Sequence, residues 1–332
     1  MKTLKRKSKR KMSNINDICT VLKKYKSFAL FTHVNADGDA IGSVLALGSS
    51  LILKGKKVLF NVPEPVPLKF DFLKGYGLIN KNLDTLNQME VGILLDAAGT
   101  NRIEVLEKNL ELFNITINID HHISNGHFAT YNLVDGNAPS TTVLILRILE
   151  KCGFPIDEDI ANDLFTGLLT DTGSFHYVNT NKFAFNSASK MLDYGAKPDF
   201  VSDMIFERET VGHLKMLGIA LSRLIIENGI VYSFITLKDF EETGAVGEDT
   251  ERIIDVLRRT GETKIALLFK ETRKSEVRVS LRGKKGINVS EIAEHFGGGG
   301  HRAAAGCTIK STVEKSIKRL IEYIKENYEN GK

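Results

Sequence analysis

Residues 28–53, FALFTHVNADGDAIGSVLALGSSLIL, decide how this sequence is read. Residues 28–32 are a short apolar run of strand type, and residues 40–53 carry a helical pattern. A strand that feeds a helix through one short loop is the opening of a parallel α/β unit. In such sheets the loops at the carboxyl ends of strands form the ligand crevice. The connecting loop, His33-Val34-Asn35-Ala36-Asp37-Gly38-Asp39, is therefore the first place to look for chemistry. Asp37 and Asp39 are two residues apart, so an extended loop points both the same way. Gly38 between them permits the tight backbone that this convergence needs.

Outward from this stretch the alternation continues. Strands are expected at 57–61, 92–95 and 115–119, and helices at 15–24, 141–151, 158–170 and 184–195. Pro139 and Ser140 open the helix at 141 as an N-terminal cap. The pattern predicts an N-terminal doubly wound parallel-sheet α/β domain over 13–196. Residues 197–224 turn helical, with Pro198 marking a break, and read as a linker. The rest, 225–332, reads as a smaller α+β domain. Its strands are expected at 229–236, 263–270, 276–281 and 307–310, with helices at 290–295 and 313–328.

The chain has 332 residues, 42% hydrophobic and 26% charged, an ordinary globular balance that selects no function. Its formal charge of +4 is more than accounted for by Lys2, Lys5, Arg6, Lys7, Lys9, Arg10 and Lys11. No apolar segment follows this basic run, so it is not a secretory signal, and residues 1–12 read as a disordered tail. No stretch is long and apolar enough to span a bilayer. Cys19, Cys152 and Cys307 are scattered and odd in number, which argues against a disulfide framework or a cysteine metal site and fits a reducing cytoplasm.

Three more places repeat the chemistry of the first loop. Asp96 follows the strand at 92–95, Asp120-His121-His122 follows 115–119, and Asp171 follows the helix at 158–170. A single aspartate after a strand is ordinarily a turn or cap residue. Four such places in order, with a polar triplet that gains nothing for a core, specify a site. Carboxylates suit hard divalent ions such as Mn²⁺ or Mg²⁺, and imidazole is tolerated best by Mn²⁺ and the later metals. Six ligands of this kind suit two ions that share a carboxylate. His127, His176, His213 and His295 lie in no such context and read as structural.

These segments, in this order, resemble the motifs of the DHH phosphoesterases. Gly298-Gly299-Gly300-His301, with Ala304 and Gly306, resembles the C-terminal DHHA1 signature. The resemblance runs from about residue 28 to residue 307. It implies that His33, Asp37, Asp96 and Asp171 hold one manganese ion and Asp39, Asp96, His121 and Asp171 the other, with Mg²⁺ or Co²⁺ as substitutes. It also implies that His122 contacts the phosphate or donates a proton, and that Asp120 orients the histidines.

Four ligating aspartates offset two divalent ions, so an anionic substrate needs cations from elsewhere. Gly298, Gly299 and Gly300 offer backbone N–H groups as an anion nest. His301, Arg302 and Arg282 are its cationic neighbours, with Lys284, Lys285, Arg102 and Asn125 as weaker candidates. The resemblance implies hydrolysis of short RNA, dinucleotides and 3′-phosphoadenosine 5′-phosphate, without a membrane and with a homodimer allowed. A RecJ-like single-strand exonuclease and a nucleic-acid-binding module with a vestigial metal site are the alternatives.

Overall fold

The computed structural model describes residues 11–99, 112–284 and 286–328. It divides into two compact units between Arg208 and Glu209. The first contains β1 (Lys11–Met12), α1 (Ile15–Lys24), β2 (Ser27–Phe31), α2 (Gly38–Leu53), β3 (Lys57–Asn61), β4 (Val91–Leu95), β5 (Ile115–Asp120), β6 (Tyr131–Val134), α3 (Thr141–Cys152), α4 (Glu158–Asp171), α5 (Lys182–Asp193) and α6 (Pro198–Phe206). Its six strands run in the order β1-β6-β5-β4-β2-β3, and every pairing is parallel.

Strand alternation buries both faces of this sheet. Phe28 and Leu30 enter the core beneath α1 to α4, while Ala29 and Phe31 pack with Leu59, Leu94 and Phe113 on the other side. The chain goes from β2 to β3 on one side and then to β4 on the other, so the strand order reverses beside β2. That switch point is where a doubly wound sheet opens its crevice. The loops after β2 and β4 flank it.

α2 and α4 pack nearly backbone to backbone. A Cβ on Gly42 would lie 2.3 Å from the Asp163 carbonyl oxygen, and one on Gly38 would lie 2.3 Å from Thr170 Oγ1. Gly38 is thus required for close helix approach beside Asp171, and it lies inside α2 rather than in a tight extended loop. Its φ is not in the left-handed region.

The second unit contains α7 (Val211–Ser222), β7 (Ile225–Glu227), β8 (Ile230–Ile235), α8 (Leu237–Thr243), α9 (Ile253–Leu257), β9 (Ile265–Arg273), β10 (Glu276–Gly283), α10 (Val289–His295), β11 (Gly299–His301), β12 (Ala304–Ile309) and α11 (Val313–Tyr328). The order is β11-β12-β10-β9-β8-β7, antiparallel except for β8 beside β9. Val277, Val279 and Leu281 of β10 join the core with residues of α10 and α11. The alternation leaves Arg278, Ser280 and Arg282 on the opposite face.

Several expectations are corrected. Lys11 and Met12 pair with Tyr131 and Asn132, so order begins inside the stretch read as tail; β6 itself is too short a run to stand out in the sequence. The helical stretch 197–224 is not one connector, since α6 belongs to the first unit and α7 to the second. Cys19 and Cys152 are joined by a disulfide across a separation of 133 residues, linking α1 to α3. Pairing is decided by the fold and not by spacing in the chain, so the cysteine count loses its force as a guide to compartment. Among the described residues no helix is long and apolar enough to cross a membrane.

Candidate functional site

Four element ends meet at the switch point. Asp37 caps α2, its carboxylate accepting from the N–H groups of Asp39 and Ala40, both at 3.1 Å. The ordinary role of a post-strand aspartate is therefore present here too. Asp39, the second residue of α2, is buried and held from across the site: the first amides of α3 donate to it, Thr141 N at 2.6 Å and Thr142 N at 2.9 Å. A helix N-terminus is a natural seat for a carboxylate. Gly167 of α4 makes room for it, because a Cβ there would lie 2.8 Å from Asp39 Oδ1.

Asp96 is buried just past β4 in the left-handed region, φ 56°, and accepts from Thr141 Oγ1 at 3.1 Å. Asp171 is the last residue of α4, not a loop residue beyond it.

Two imidazoles face these carboxylates in the same manner. His33 Nδ1 donates to the Val34 carbonyl at 2.8 Å, leaving Nε2 3.4 Å from Asp96 Oδ2. His121 Nδ1 donates to the Ala138 carbonyl at 3.3 Å, and its Nε2 lies 3.9, 3.6 and 3.5 Å from oxygens of Asp39, Asp96 and Asp171. A carbonyl on Nδ1 fixes the tautomer that aims a lone pair from Nε2, the usual preparation of a metal-ligating histidine.

His122 is turned the other way. Its Nδ1 lies 2.7 Å from Asp120 Oδ1, and the ring is one-third exposed. Asp120 is fully buried and saturated: it also accepts from His121 N at 2.9 Å and from Asn125 Nδ2 at 2.6 Å. The Asp120 carboxylate pushes the His122 imidazolium up to about 9, so it is charged at neutral pH.

Burial, then the charges of Asp96 and Asp171, push the Asp39 carboxyl well above the usual carboxylate range. Burial, then Asp96 and Asp37, push Asp171 up to about 7. Burial alone would raise Asp96 as well, but His33, His121 and His122 outweigh it and hold Asp96 low. Burial likewise opposes the charging of His33, and the hydrogen bonds to Asp96 and Val34 overcome it. Among the described residues the ion pairs of Asp39, Asp96 and Asp171 are all with histidines. Carboxylates crowded together without a lysine or arginine resist ionisation until a cation arrives.

Three groups of ligand atoms lie close enough to hold an ion: His33, Asp37 and Asp96; Asp39, His121 and Asp171; and Asp96, His121 and His122.

The cationic candidates lie apart from this cluster in the chain and are arranged differently. Gly299, Gly300 and His301 form β11, an edge strand on β12. A Cβ on Gly298 would lie 2.1 Å from the Gly306 carbonyl oxygen, and one on Gly300 2.5 Å from Ala305 Cα. Close packing against β12 thus accounts for Gly298 and Gly300, whereas a Cβ on Gly299 would meet nothing within 4 Å. A 370 Å³ cleft lined by Arg278, Thr308 and residues of the glycine run lies beside them.

Arg282 Nε is paired with Asp255 at 3.0 Å. Arg302 donates through Nε and Nη2 to the Gly286 carbonyl, at 3.2 and 2.8 Å, which ties the turn between β11 and β12 to the loop between β10 and α10, while His301 is exposed. Lys284 Nζ donates to the Thr260 carbonyl at 3.1 Å. Asn125 is buried between Asp120, Asn118 and the Ala97 carbonyl, as a support and not a substrate contact. Arg102 and Lys285 lie outside the described residues.

The order of acidic and imidazole motifs along one sheet edge, followed by a glycine-rich hairpin in a mixed sheet, matches two family models. The DHH family N-terminal domain matches residues 27–170, and the DHHA1 domain matches residues 227–330. The chain is a DHH/DHHA1 phosphoesterase.

Its first unit is the DHH unit and its second the DHHA1 unit. The bifunctional oligoribonuclease and PAP phosphatase NrnA of Thermus thermophilus is 29% identical, covering 89% of this chain and 88% of that protein. The protein of the same name in Bacillus subtilis is 26% identical, covering 87% of this chain and 91% of its own. An exopolyphosphatase-related protein from Bacteroides fragilis superposes with a TM-score of 0.82 at 23% identity, covering 95% of this chain and 96% of that one. Exonuclease RecJ bound to manganese gives a TM-score of 0.57 at 14% identity, covering 96% of each chain. Both structures share the fold.

Proposed function

We propose that this DHH/DHHA1 protein is a two-manganese phosphoesterase that hydrolyses short oligoribonucleotides, linear dinucleotides and 3′-phosphoadenosine 5′-phosphate. The observation that carries the reading is the pair of imidazoles, His33 and His121, whose carbonyl-anchored rings aim Nε2 at three carboxylates that, among the described residues, have no lysine or arginine partner. This donor set fits divalent cations, and mixed oxygen and imidazole donors are compatible with manganese. His33, Asp37 and Asp96 would hold one ion, and Asp39, His121 and Asp171 the other, with Asp96 and Asp171 serving both. When bound, such a pair polarises the phosphoryl group and generates a strong nucleophile from water at neutral pH.

The chain's own residues supply the rest. Asp120 keeps His122 protonated and uses up its Nδ1, so Nε2–H is the proton offered to a phosphate oxygen or to the leaving oxygen. His301, Arg282 and the glycine hairpin of the DHHA1 unit serve as phosphate contacts, with Arg302 tying that hairpin to the loop at Gly286. The names of the relatives, which align over most of this chain, support the choice of substrates. Turnover of a dinucleotide panel, longer RNA and 3′-phosphoadenosine 5′-phosphate, with manganese and after chelation, tests the reading. Manganese-dependent release of mononucleotides is expected. A folded protein that turns over none of these substrates at saturating manganese refutes it.

A further inference from the structure

The cluster's carboxylates are fastened unequally. Asp39 has two helix amides, and Asp96 has Thr141 and His33. Asp171 stands at the end of its helix, and its carboxylate is one-quarter exposed. The segment that follows it doubles back: Gly173, Ser174 and Phe175 all have positive φ, at 57°, 58° and 61°. Amides of residues 174, 176 and 177 bond to the carbonyls of Leu169 and Thr172, closing the reversal over the end of α4. Left-handed backbone is costly for serine and phenylalanine and persists only where the surroundings hold it.

The reversal delivers Asn179. Its Nδ2 donates to the Pro139 carbonyl at 2.9 Å, the Asp171 carbonyl at 3.1 Å and Asp171 Oδ2 at 3.3 Å. Three acceptors around one nitrogen fix which end of the amide is which. Pro139 leads into α3, whose first amides hold Asp39. One side chain thus ties the approach to α3 to the end of α4, touching an Asp171 oxygen that also lies 3.5 Å from His121 Nε2.

We propose that Asn179 is a positioning residue for the metal centre. It sets the orientation of the Asp171 carboxylate and the separation of the two helix ends before an ion binds. The proposal rests on the reading of Asp171 as a ligand. Residues that orient ligands in this way are worth about 10–100-fold in metal affinity. Asn181 is the natural control, because it joins the same two loops through the Asn137 carbonyl at 3.3 Å and caps α5, but does not touch Asp171.

The test is manganese binding by calorimetry on the full chain, alongside melting of the metal-free protein. Asn179→Ala is expected to weaken manganese at least about tenfold, while kcat recovers toward the parent value in excess manganese and KM changes little. Asn181→Ala is expected to lower the melting temperature without weakening the ion. Asn179→Ser replaces the alanine variant if that does not fold. An Asn179 variant that binds manganese as the parent does overturns the proposal, and so does an equal loss of affinity in Asn181→Ala. A parent protein that takes up no manganese would instead refute the metal reading itself.

Discussion

At the carboxylate–imidazole cluster of the DHH unit the ionisable groups are sunk and fastened, whereas at the glycine hairpin of the DHHA1 unit the cationic candidates stand at the surface. Asp39 and Asp120 are at most 1% exposed and accept two or three hydrogen bonds each. His301 and Arg302 are exposed, and the guanidinium of Arg302 rests on the Gly286 backbone carbonyl in the loop between β10 and α10. The difference follows from what each region must do. A centre that brings carboxylates together must prepay their repulsion with rigid donors, because misplacement leaves buried charge unpaired. A surface that greets a phosphate needs only cations in reach, and solvent screens any one of them. Substitutions should therefore act as thresholds in the first region and as increments in the second.

The largest effect is expected at Asp96, which touches ligand atoms in two of the three groups. Asp96→Ala should abolish hydrolysis while circular dichroism shows an intact fold. Turnover near that of the parent at saturating manganese would dissolve the contrast between the units.

His122 comes next. His122→Ala should lower kcat by roughly 10²–10⁴-fold with little change in manganese affinity. The imidazolium persists up to about 9, so the parent's alkaline limb should lie near that pH, with activity falling as pH rises through it. Asp120→Asn removes the charge that raises it. The limb should then move down toward the ordinary histidine value near 6.5, costing about 30-fold at pH 8 and far less at pH 6. A limb that stays in place in Asp120→Asn would show that another group titrates.

The smallest effects belong to the DHHA1 unit. His301→Ala should raise KM for dinucleotides by about tenfold, roughly one charge-assisted hydrogen bond. Arg302→Ala should change KM by no more than about threefold, because its hydrogen bonds are already made to the Gly286 carbonyl. The reverse ranking would mean that the guanidinium leaves Gly286 when substrate arrives.

What could be read in the sequence was whatever contradicted the logic of a core. Asp120-His121-His122 after an apolar strand has no packing rationale, and Asp37 and Asp39 sit where a doubly wound sheet opens. The supports were not readable, because they act through groups every residue carries or through distant partners. The amides of Thr141 and Thr142 reach Asp39 across 102 and 103 residues, and nothing in a threonine pair announces that. Asn125 reads in the sequence as a weaker candidate for substrate contact, and only the fold sets it against Asp120. Cys19 and Cys152 became neighbours only when α1 packed on α3. The glycine run was conspicuous, but composition could not tell a nest from an edge strand.

Gly38, Gly42 and Gly167 touch no reacting group, yet each stands where one added methyl would strike a helix or an aspartate. A map of mutational tolerance drawn over this chain would therefore be wider than its chemistry. It would mark the seam between α2 and α4 as unforgiving as the carboxylates. Anyone grafting this centre onto another scaffold would have to transplant the seam with it, since the ligands alone carry no instruction for how near their helices must come.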